Sequence, residues 1–230
     1  MNILGIIPAR KNSKGVVNKN IKLIRGKPLI YYTIREAKKS KIITDLIISS
    51  DSKIVEKISN KYKLNDFKIR PSRLATDTST IDKTIKYELK RMEKLKKKKY
   101  DLVILLQPTS PIRKKNIIDD SLRYFLKIGK KYDSLISISK FEEPNPFKVF
   151  TLKKKKLIKL INYKTKSDTM RRQDYPSVFI PNGMIYIFKR SFILRNKKIL
   201  GKNILGYNVI HDYLNIDTNR DFLIAKKIIR

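Results

Sequence analysis

Apolar and polar positions follow two rhythms in this chain, and the changes between them mark out its elements. Ile3, Leu4, Ile6 and Ile7 form a short apolar run that Pro8 cuts, as a buried strand ending in a loop would read. Pro28 suits the first turn of a helix, and Leu29, Ile30, Tyr32, Thr33, Ile34 and Ala37 then recur at helical spacing to about Ser40. Residues 45–50 read as a second strand, 54–62 as a helix and 67–69 as a short strand before Arg70-Pro71. A polar loop at 75–80 leads into a helix over about 82–94. Residues 101–106, the most apolar strand, stop at Gln107-Pro108-Thr109-Ser110-Pro111, before a helix over about 116–127 and a strand at 134–139.

From 141 to 180 the rhythm breaks at Pro144, Pro146 and Pro176. Residues 147–151 and 157–161 look like a hairpin around Lys153–Lys156, so this stretch reads as an inserted β-rich arm. Strands at 184–188 and 205–210 and a helix over about 220–229 close the chain. Strands alternating with helices predict an α/β fold, a mostly parallel sheet covered on both faces. Such sheets bind ligands at the carboxyl ends of their strands. The loops after Ile7, Ser50 and Leu106 should therefore share one edge, and each is polar or charged.

Charge changes this picture less than its size suggests. The 230 residues carry 55 Lys+Arg against 20 Asp+Glu, a net charge of +35. Such a surplus drives nucleic-acid binding when it comes with stacking aromatics or a groove-reading helix. The clusters at Lys96–Lys99 and Lys153–Lys156 have neither and read as solvated turns. Lys, Ile and Asn abound together, as an A+T-rich coding bias would leave them, and no specific nucleic-acid partner is expected. No apolar run approaches the roughly 20 residues of a spanning helix, and no leader-like pattern opens the chain. The expectation is a cytoplasmic enzyme without a membrane partner.

The candidate chemistry is cationic. The first strand opens into a loop carrying Arg10, Lys11, Lys14 and Lys19 with Asn12, Ser13, Gly15 and Asn20. A strand ending in a basic, glycine-containing loop is how α/β proteins offer N–H groups and cations to phosphates. No G-x-x-x-x-G-K-[ST] or G-x-G-x-x-G occurs, which argues against a P-loop or a dinucleotide site. One histidine, His211, and no cysteine exclude most zinc chemistry, and a Ser-His-Asp hydrolase lacks its G-x-S-x-G elbow. A cationic loop with scattered carboxylates is the equipment of phosphoryl or nucleotidyl transfer. Asp51, Asp217 and Asp221 are candidate Mg²⁺ ligands, with Asp217-Thr218 open to a second reading as a helix cap.

Five stretches in order carry a specific resemblance. They are Ile7-Pro8-Ala9-Arg10-Lys11-Asn12-Ser13-Lys14-Gly15 with Lys19-Asn20; Arg70-Pro71 with Leu74-Ala75-Thr76-Asp77-Thr78; and Leu105 through Arg113. Pro181-Asn182-Gly183-Met184-Ile185-Tyr186 and Asn215-Ile216-Asp217-Thr218 with Asp221 complete the set. Across essentially its whole length the chain resembles the acylneuraminate cytidylyltransferases, the CMP–sialic acid synthetases. The resemblance implies a Rossmann-like α/β domain of the nucleotide-diphospho-sugar transferase type over 1–140 and 181–230. It also implies that 141–180 is a dimerisation and sugar-binding arm in a homodimer. The implied reaction joins CTP to a nine-carbon 2-keto sugar acid with Mg²⁺, releases pyrophosphate and serves cell-surface glycan synthesis.

Carried over residue by residue, the resemblance puts Arg10, Ser13, Lys14, Lys19 and Asn20 at the triphosphate, with Arg70, Thr80 and Gln107 around cytosine and ribose. Lys148, Arg172, Asn182, Gly183 and Tyr186 would meet the sugar acid. Arg10, Lys19 and Asp217 would be catalytic, and Asp217 with Asn215 would hold the metal. Many family members carry Asp-x-Asp where this chain reads Asn215-Ile216-Asp217, so one negative charge is missing at the metal. Ile180 stands where some members place Arg. Cytidylyltransferases for the eight-carbon acid 3-deoxy-manno-octulosonate are the nearest alternative, but their first loop reads more like Ser-x-Arg-Leu-Pro-Gly-Lys. A non-catalytic basic nucleic-acid-binding protein is the alternative from another class.

Overall fold

The computed structural model describes residues 1–11, 15–76, 78–141, 146–161, 175–196, 198–211 and 213–229. Six strands form one sheet: β1 (Ile3–Pro8), β4 (Asp45–Ser49), β5 (Leu102–Leu105), β6 (Ser134–Phe141), β9 (Val178–Lys189) and β10 (Ile204–Asn208). Their order across the sheet is β10-β6-β9-β5-β1-β4. Strands β5, β1 and β4 run parallel, as do β6 and β10, while β9 runs antiparallel to both of its neighbours. This is the mostly parallel α/β sheet the alternation predicts.

Period-two alternation sends each strand's side chains to two cores. Ile3 and Ile7 of β1 join one cluster with Ile30, Ile34 and Ala37 of α1 (Leu29–Lys38), Val55 of α2 (Lys53–Lys61) and Leu122 and Phe125 of α4 (Ile117–Ile128). Leu4 and Ile6 face the other way, onto Ile85, Leu89 and Met92 of α3 (Ile81–Lys96) and Ile193 of α5 (Arg190–Arg195). Each of the buried Val, Leu, Ile, Met and Phe side chains contributes about 1.5–3 kcal/mol of apolar burial. A third cluster joins Ile24, Leu29, Tyr32 and Ile216 to Phe222, Ala225 and Ile229, seating α6 (Asn219–Ile228) beside the start of α1.

Three details depart from the sequence-based expectation. The strand expected at 67–69 is a single bridge, Ser50 to Ile69, because the chain turns at once into the Arg70 loop. A small hairpin, β2 (Leu23–Ile24) and β3 (Lys27–Pro28), precedes α1, and its turn places Arg25 and Gly26 at φ 48° and 71°. Both that hairpin and α5 are too short to show a period. Lys96–Lys99 is also more than a solvated turn: Lys96 pairs with Asp66 at 2.8 Å and Lys98 with Asp45 at 2.6 Å.

The expected hairpin is present as β7 (Phe150–Lys153) paired with β8 (Lys156–Lys159), a two-stranded sheet separate from the main one. Lys154 and Lys155 form its turn at positive φ. Phe150, Leu152, Leu157 and Ile158 on this ribbon are exposed.

Strand β9 carries the irregularity that shapes the site. Ile136 pairs with Tyr186 and Ile138 with Pro181, so the intervening Asn182–Ile185 segment bulges opposite Ser137. Bulges re-aim side chains and concentrate near active sites. Pro181 is tolerated because only β6 pairs with this part of β9; β5 pairs with Tyr186–Lys189.

Candidate active site

The loops after β1, β4 and β5 do meet at one sheet edge. The β1 and β5 loops, with Arg70 and the residues leading into α3, enclose a cleft of about 690 Å³ lined by Arg10, Gly15, Lys19, Asn20, Arg70 and Gln107, with Asn215 and Asp217 of the turn before α6, while the β4 loop braces the β1 loop from behind. Residues Thr76, Ser79 and Thr84 complete a hydroxyl-rich wall.

The basic loop is held at both ends. Ala9 N–H donates to the Ser49 carbonyl at 2.9 Å, and Lys11 N–H to the Asp51 carboxylate at 2.7 Å. Asp51, a candidate metal ligand by sequence, is thus engaged in pinning this loop. The Asn20 amide donates to the Arg10 carbonyl at 3.1 Å, which secures the far side. Lys19 is nearly buried, and its ammonium donates to the Ile216 carbonyl at 2.6 Å and the Asp217 carboxylate at 3.1 Å. Gly15 packs so closely on the Asp217 carbonyl that a Cβ there would collide with it.

The turn bearing Asn215 and Asp217 is fixed from three sides. Ile216 N–H donates to Thr109 O at 2.7 Å, its carbonyl takes Lys19, and its side chain is wholly buried. Thr218 and Asp221 then form a capping box that starts α6. Burial raises the Asp221 pKa, but hydrogen bonds from Thr218 and the Asp217 N–H outweigh it, leaving the carboxyl below its ordinary value. The cap therefore belongs to Thr218 and Asp221, and Asp221, unlike Asp217, does not line the cleft. Asp217 remains available, its side chain 63% exposed.

The donor set fits a hard cation. The Asn215 Oδ1 atom is buried and has no hydrogen-bond partner, while its Nδ2 donates to Asp217 Oδ2 at 2.7 Å. An orphaned amide oxygen beside an exposed carboxylate offers the oxygen ligands that Mg²⁺ takes, with phosphates and water completing the shell. Among the described residues no cluster of three or more His, Cys, Asp or Glu could hold a metal alone.

Arg70 lines the cleft but is largely committed to the protein. Its Nε donates to Ser49 Oγ at 3.1 Å, Nη1 to Leu74 O at 3.4 Å, and Nη2 to Ser49 O. Burial lowers its pKa, the charges of Asp51 and Glu88 offset this in part, and Arg10 adds to it. Gln107 sits at the mouth of the β9 bulge. Gly183, at φ 75°, approaches it so closely that a Cβ would lie 3.2 Å from Gln107 Oε1 and 3.5 Å from Asn215 Oδ1.

Of the residues assigned to the sugar acid, Lys148, Asn182, Gly183 and Tyr186 do not line this cleft. Asn182 is spent inside the bulge: Oδ1 accepts from Ser137 Oγ at 2.6 Å and Nδ2 donates to Ser139 Oγ at 3.0 Å. Tyr186 lies within the sheet, where burial raises its pKa. The Lys148 ammonium stands 5.8 Å from the centre of the Tyr175 ring, beside the separate ribbon. Thr80, assigned to the nucleotide, is the exposed N-cap of α3, and its neighbour Ser79 lines the cleft instead. Ser13, Lys14 and Arg172 lie outside the described residues.

Sequence reasoning gave no role to Arg113, which holds the site's frame. It is buried and donates to Thr33 Oγ1 at 2.8 Å, Gln107 O at 2.9 Å and Met184 O at 3.0 Å, joining α1, the β5 loop and β9. Burial lowers its pKa to about 9, with Glu36 acting in the opposite sense. Arg113 opens the basic run Arg113-Lys114-Lys115, so nothing in the local sequence sets it apart from its exposed neighbours.

Known proteins are similar over most of this chain. Post-translational flagellin modification protein B of Campylobacter coli is 33% identical over 99% of this chain and 95% of its own. A CMP-N,N'-diacetyllegionaminic acid synthase of Legionella pneumophila is 31% identical over 99% and 96%. An N-acylneuraminate cytidylyltransferase of Escherichia coli is 31% identical over 97% of this chain, which spans only 51% of that protein. The solved structure of a CMP:2-keto-3-deoxy-manno-octonic acid synthetase complexed with CTP superposes with a TM-score of 0.74. It covers 100% of this chain and 98% of its own at 14% identity, a likeness of fold. The family model described as Cytidylyltransferase matches residues 4–213, which include the whole cleft lining except Asn215 and Asp217, and the chain belongs to that family of nucleotidyltransferases.

Proposed function

We propose that this cytidylyltransferase joins CTP to a nine-carbon 2-keto sugar acid of the sialic acid type, yielding the CMP-sugar and pyrophosphate. The observation that carries the reading is the pairing of Arg10, Lys19 and Arg70 with the Asn215–Asp217 turn around one cleft. The names of the Legionella and E. coli relatives, a legionaminic acid synthase and an N-acylneuraminate cytidylyltransferase, support this acceptor class. An eight-carbon acceptor has only the 14%-identical fold likeness behind it.

Arg10 and Lys19 take the triphosphate, with Ser13, Lys14 and Asn20 in the same loop. Gln107 and Arg70 take the base and ribose. Mg²⁺, held by Asp217 and the Asn215 amide oxygen, would supply neutralisation of phosphate charge. Lys19 balances the Asp217 carboxylate at 3.1 Å, so this edge of the cleft does not repel a triphosphate. The acceptor hydroxyl attacks the α-phosphorus in line and pyrophosphate leaves, catalysis resting on position and charge neutralisation.

The 141–180 segment is the arm, its exposed apolar ribbon covered by a second copy, and Lys148 and Arg172 reach the acceptor from it. Among the described residues no helix is long and apolar enough to cross a membrane. We place the enzyme in the cytoplasm as a homodimer, supplying cell-surface glycan synthesis.

The test is pyrophosphate release from each NTP with a panel of N-acetylneuraminic, legionaminic, pseudaminic and 3-deoxy-manno-octulosonic acids. Activity with CTP and one nine-carbon acid is expected. Release with the eight-carbon acid alone, or none with any acceptor, would overturn the proposal.

A further inference from the structure

Glu88 is the charge buried deepest behind the cleft, on α3 one turn past the cleft-lining Thr84, and its side chain is 1% exposed. One carboxylate oxygen accepts from Ser49 Oγ at 2.6 Å, the other from Arg91 Nε at 2.6 Å. Ser49 closes the end of β4 and is wholly buried. Its oxygen also accepts from Arg70 Nε at 3.1 Å.

The direction of these bonds follows from the groups themselves. A serine hydroxyl has one hydrogen and two lone pairs. The carboxylate, acceptor-only, fixes that hydrogen toward α3, and the oxygen is thereby left with its lone pairs for the arginine. Without Glu88 the hydroxyl is free to rotate its hydrogen toward the Arg70 N–H, where two donors would oppose each other. Among the described residues Arg70 meets no carboxylate directly, and Glu88 is joined to it through one hydroxyl, that of Ser49. The guanidinium has five N–H groups and three are bonded within the protein. Its orientation therefore decides where the remaining two point.

We propose that Glu88 is a positioning residue for the nucleotide, aiming the Arg70 guanidinium into the cleft through the Ser49 hydroxyl. The inference rests on the reading of Arg70 as a nucleotide contact. It assigns a binding role to a carboxylate buried behind the cleft, and to α3 a part in nucleotide affinity beyond its packing on the sheet.

The experiment is a double-mutant cycle read by calorimetric titration of CTP in the absence of acceptor, with steady-state kinetics alongside. Ser49→Ala and Glu88→Met are each made in the wild type and in Arg70→Met. In the wild-type background each should weaken CTP binding about tenfold, the loss of one charge-assisted bond's worth of orientation. KM for the sugar acid and kcat at saturating CTP should stay within about twofold. In the Arg70→Met background neither should weaken binding further, because a residue acting only through Arg70 has nothing left to act on. Equal losses in both backgrounds, or no loss in the wild type, would overturn the relay. Wild-type CTP affinity in Arg70→Met alone would overturn the nucleotide reading of Arg70, and with it the relay. If Glu88→Met does not fold, Ser49→Ala breaks the same link while leaving the Glu88–Arg91 pair intact.

Discussion

Replacing Gly183 by alanine tests how tightly the β9 bulge ties the base side of the cleft to its metal side. Gly183 has φ 75°, where an L side chain costs about 1–2 kcal/mol. Its Cβ would also lie 2.9 Å from Ser110 Oγ and 3.2 Å from Gln107 Oε1. Carbon and oxygen without a strong bond sit at about 3.3–3.6 Å, so the serine must yield by about 0.4–0.7 Å. That serine donates to the Asn182 carbonyl at 3.1 Å, and a weakened buried bond costs about 1 kcal/mol. The sum is about 2–3 kcal/mol, which in a chain of this size lowers Tm by about 5–10 °C. Gly26 is the control: its φ is 71°, but nothing lies within 4 Å of its Cβ. Gly26→Ala therefore carries the backbone strain without the crowding and should lower Tm by about 3–6 °C. Differential scanning calorimetry reads both values. Pyrophosphate release, measured well below either transition, should show kcat/KM down roughly tenfold in Gly183→Ala and unchanged within about twofold in Gly26→Ala. Equal losses of Tm and activity in the two variants would refute the crowding argument.

Asn215→Asp restores a second carboxylate beside Asp217. The half-saturating Mg²⁺ concentration should fall, and Mn²⁺ binding followed by electron paramagnetic resonance should tighten about tenfold. Thr218→Ala removes the α6 cap and should cost about 1 kcal/mol in urea unfolding. Burial raises the Glu93 pKa, but bonds from Arg190 at 2.6 and 3.0 Å and from Tyr100 N–H bring it below its ordinary value. A carboxylate held low stabilises the fold above the unfolded-state pKa of about 4.3 and ceases to as pH falls through the lower, folded value. Urea midpoints of the wild type should therefore drop more steeply between about pH 5 and 3 than those of Glu93→Gln.

The sequence by itself determined a mostly parallel sheet, its longer helices and the edge where the site lies. Strands buried on both faces leave short continuous apolar runs, as at Ile3–Ile7 and Leu102–Leu105, and amphipathic helices leave a 3.6-residue period, as at Leu29–Ala37. The motifs that carry the family resemblance also named Arg10, Lys19, Asn20, Arg70, Gln107, Asn215 and Asp217, which one cleft gathers. What only the tertiary structure decided is how those residues are divided between binding and support. Asp51 and Asp221 present the same carboxylate in sequence as Asp217, yet one pins the Lys11 backbone and the other caps α6. Asn182 and Arg113 hold the bulge and the β5 loop from within. The Asp221 cap is local, three positions from Thr218, but the other roles depend on partners unrelated by any sequence period: 40 positions separate Lys11 from Asp51, and 45 separate Ser137 from Asn182. Burial sets the rest, because a polar group withdrawn from water must find a partner in the protein, and only the folded chain shows which partner is within reach.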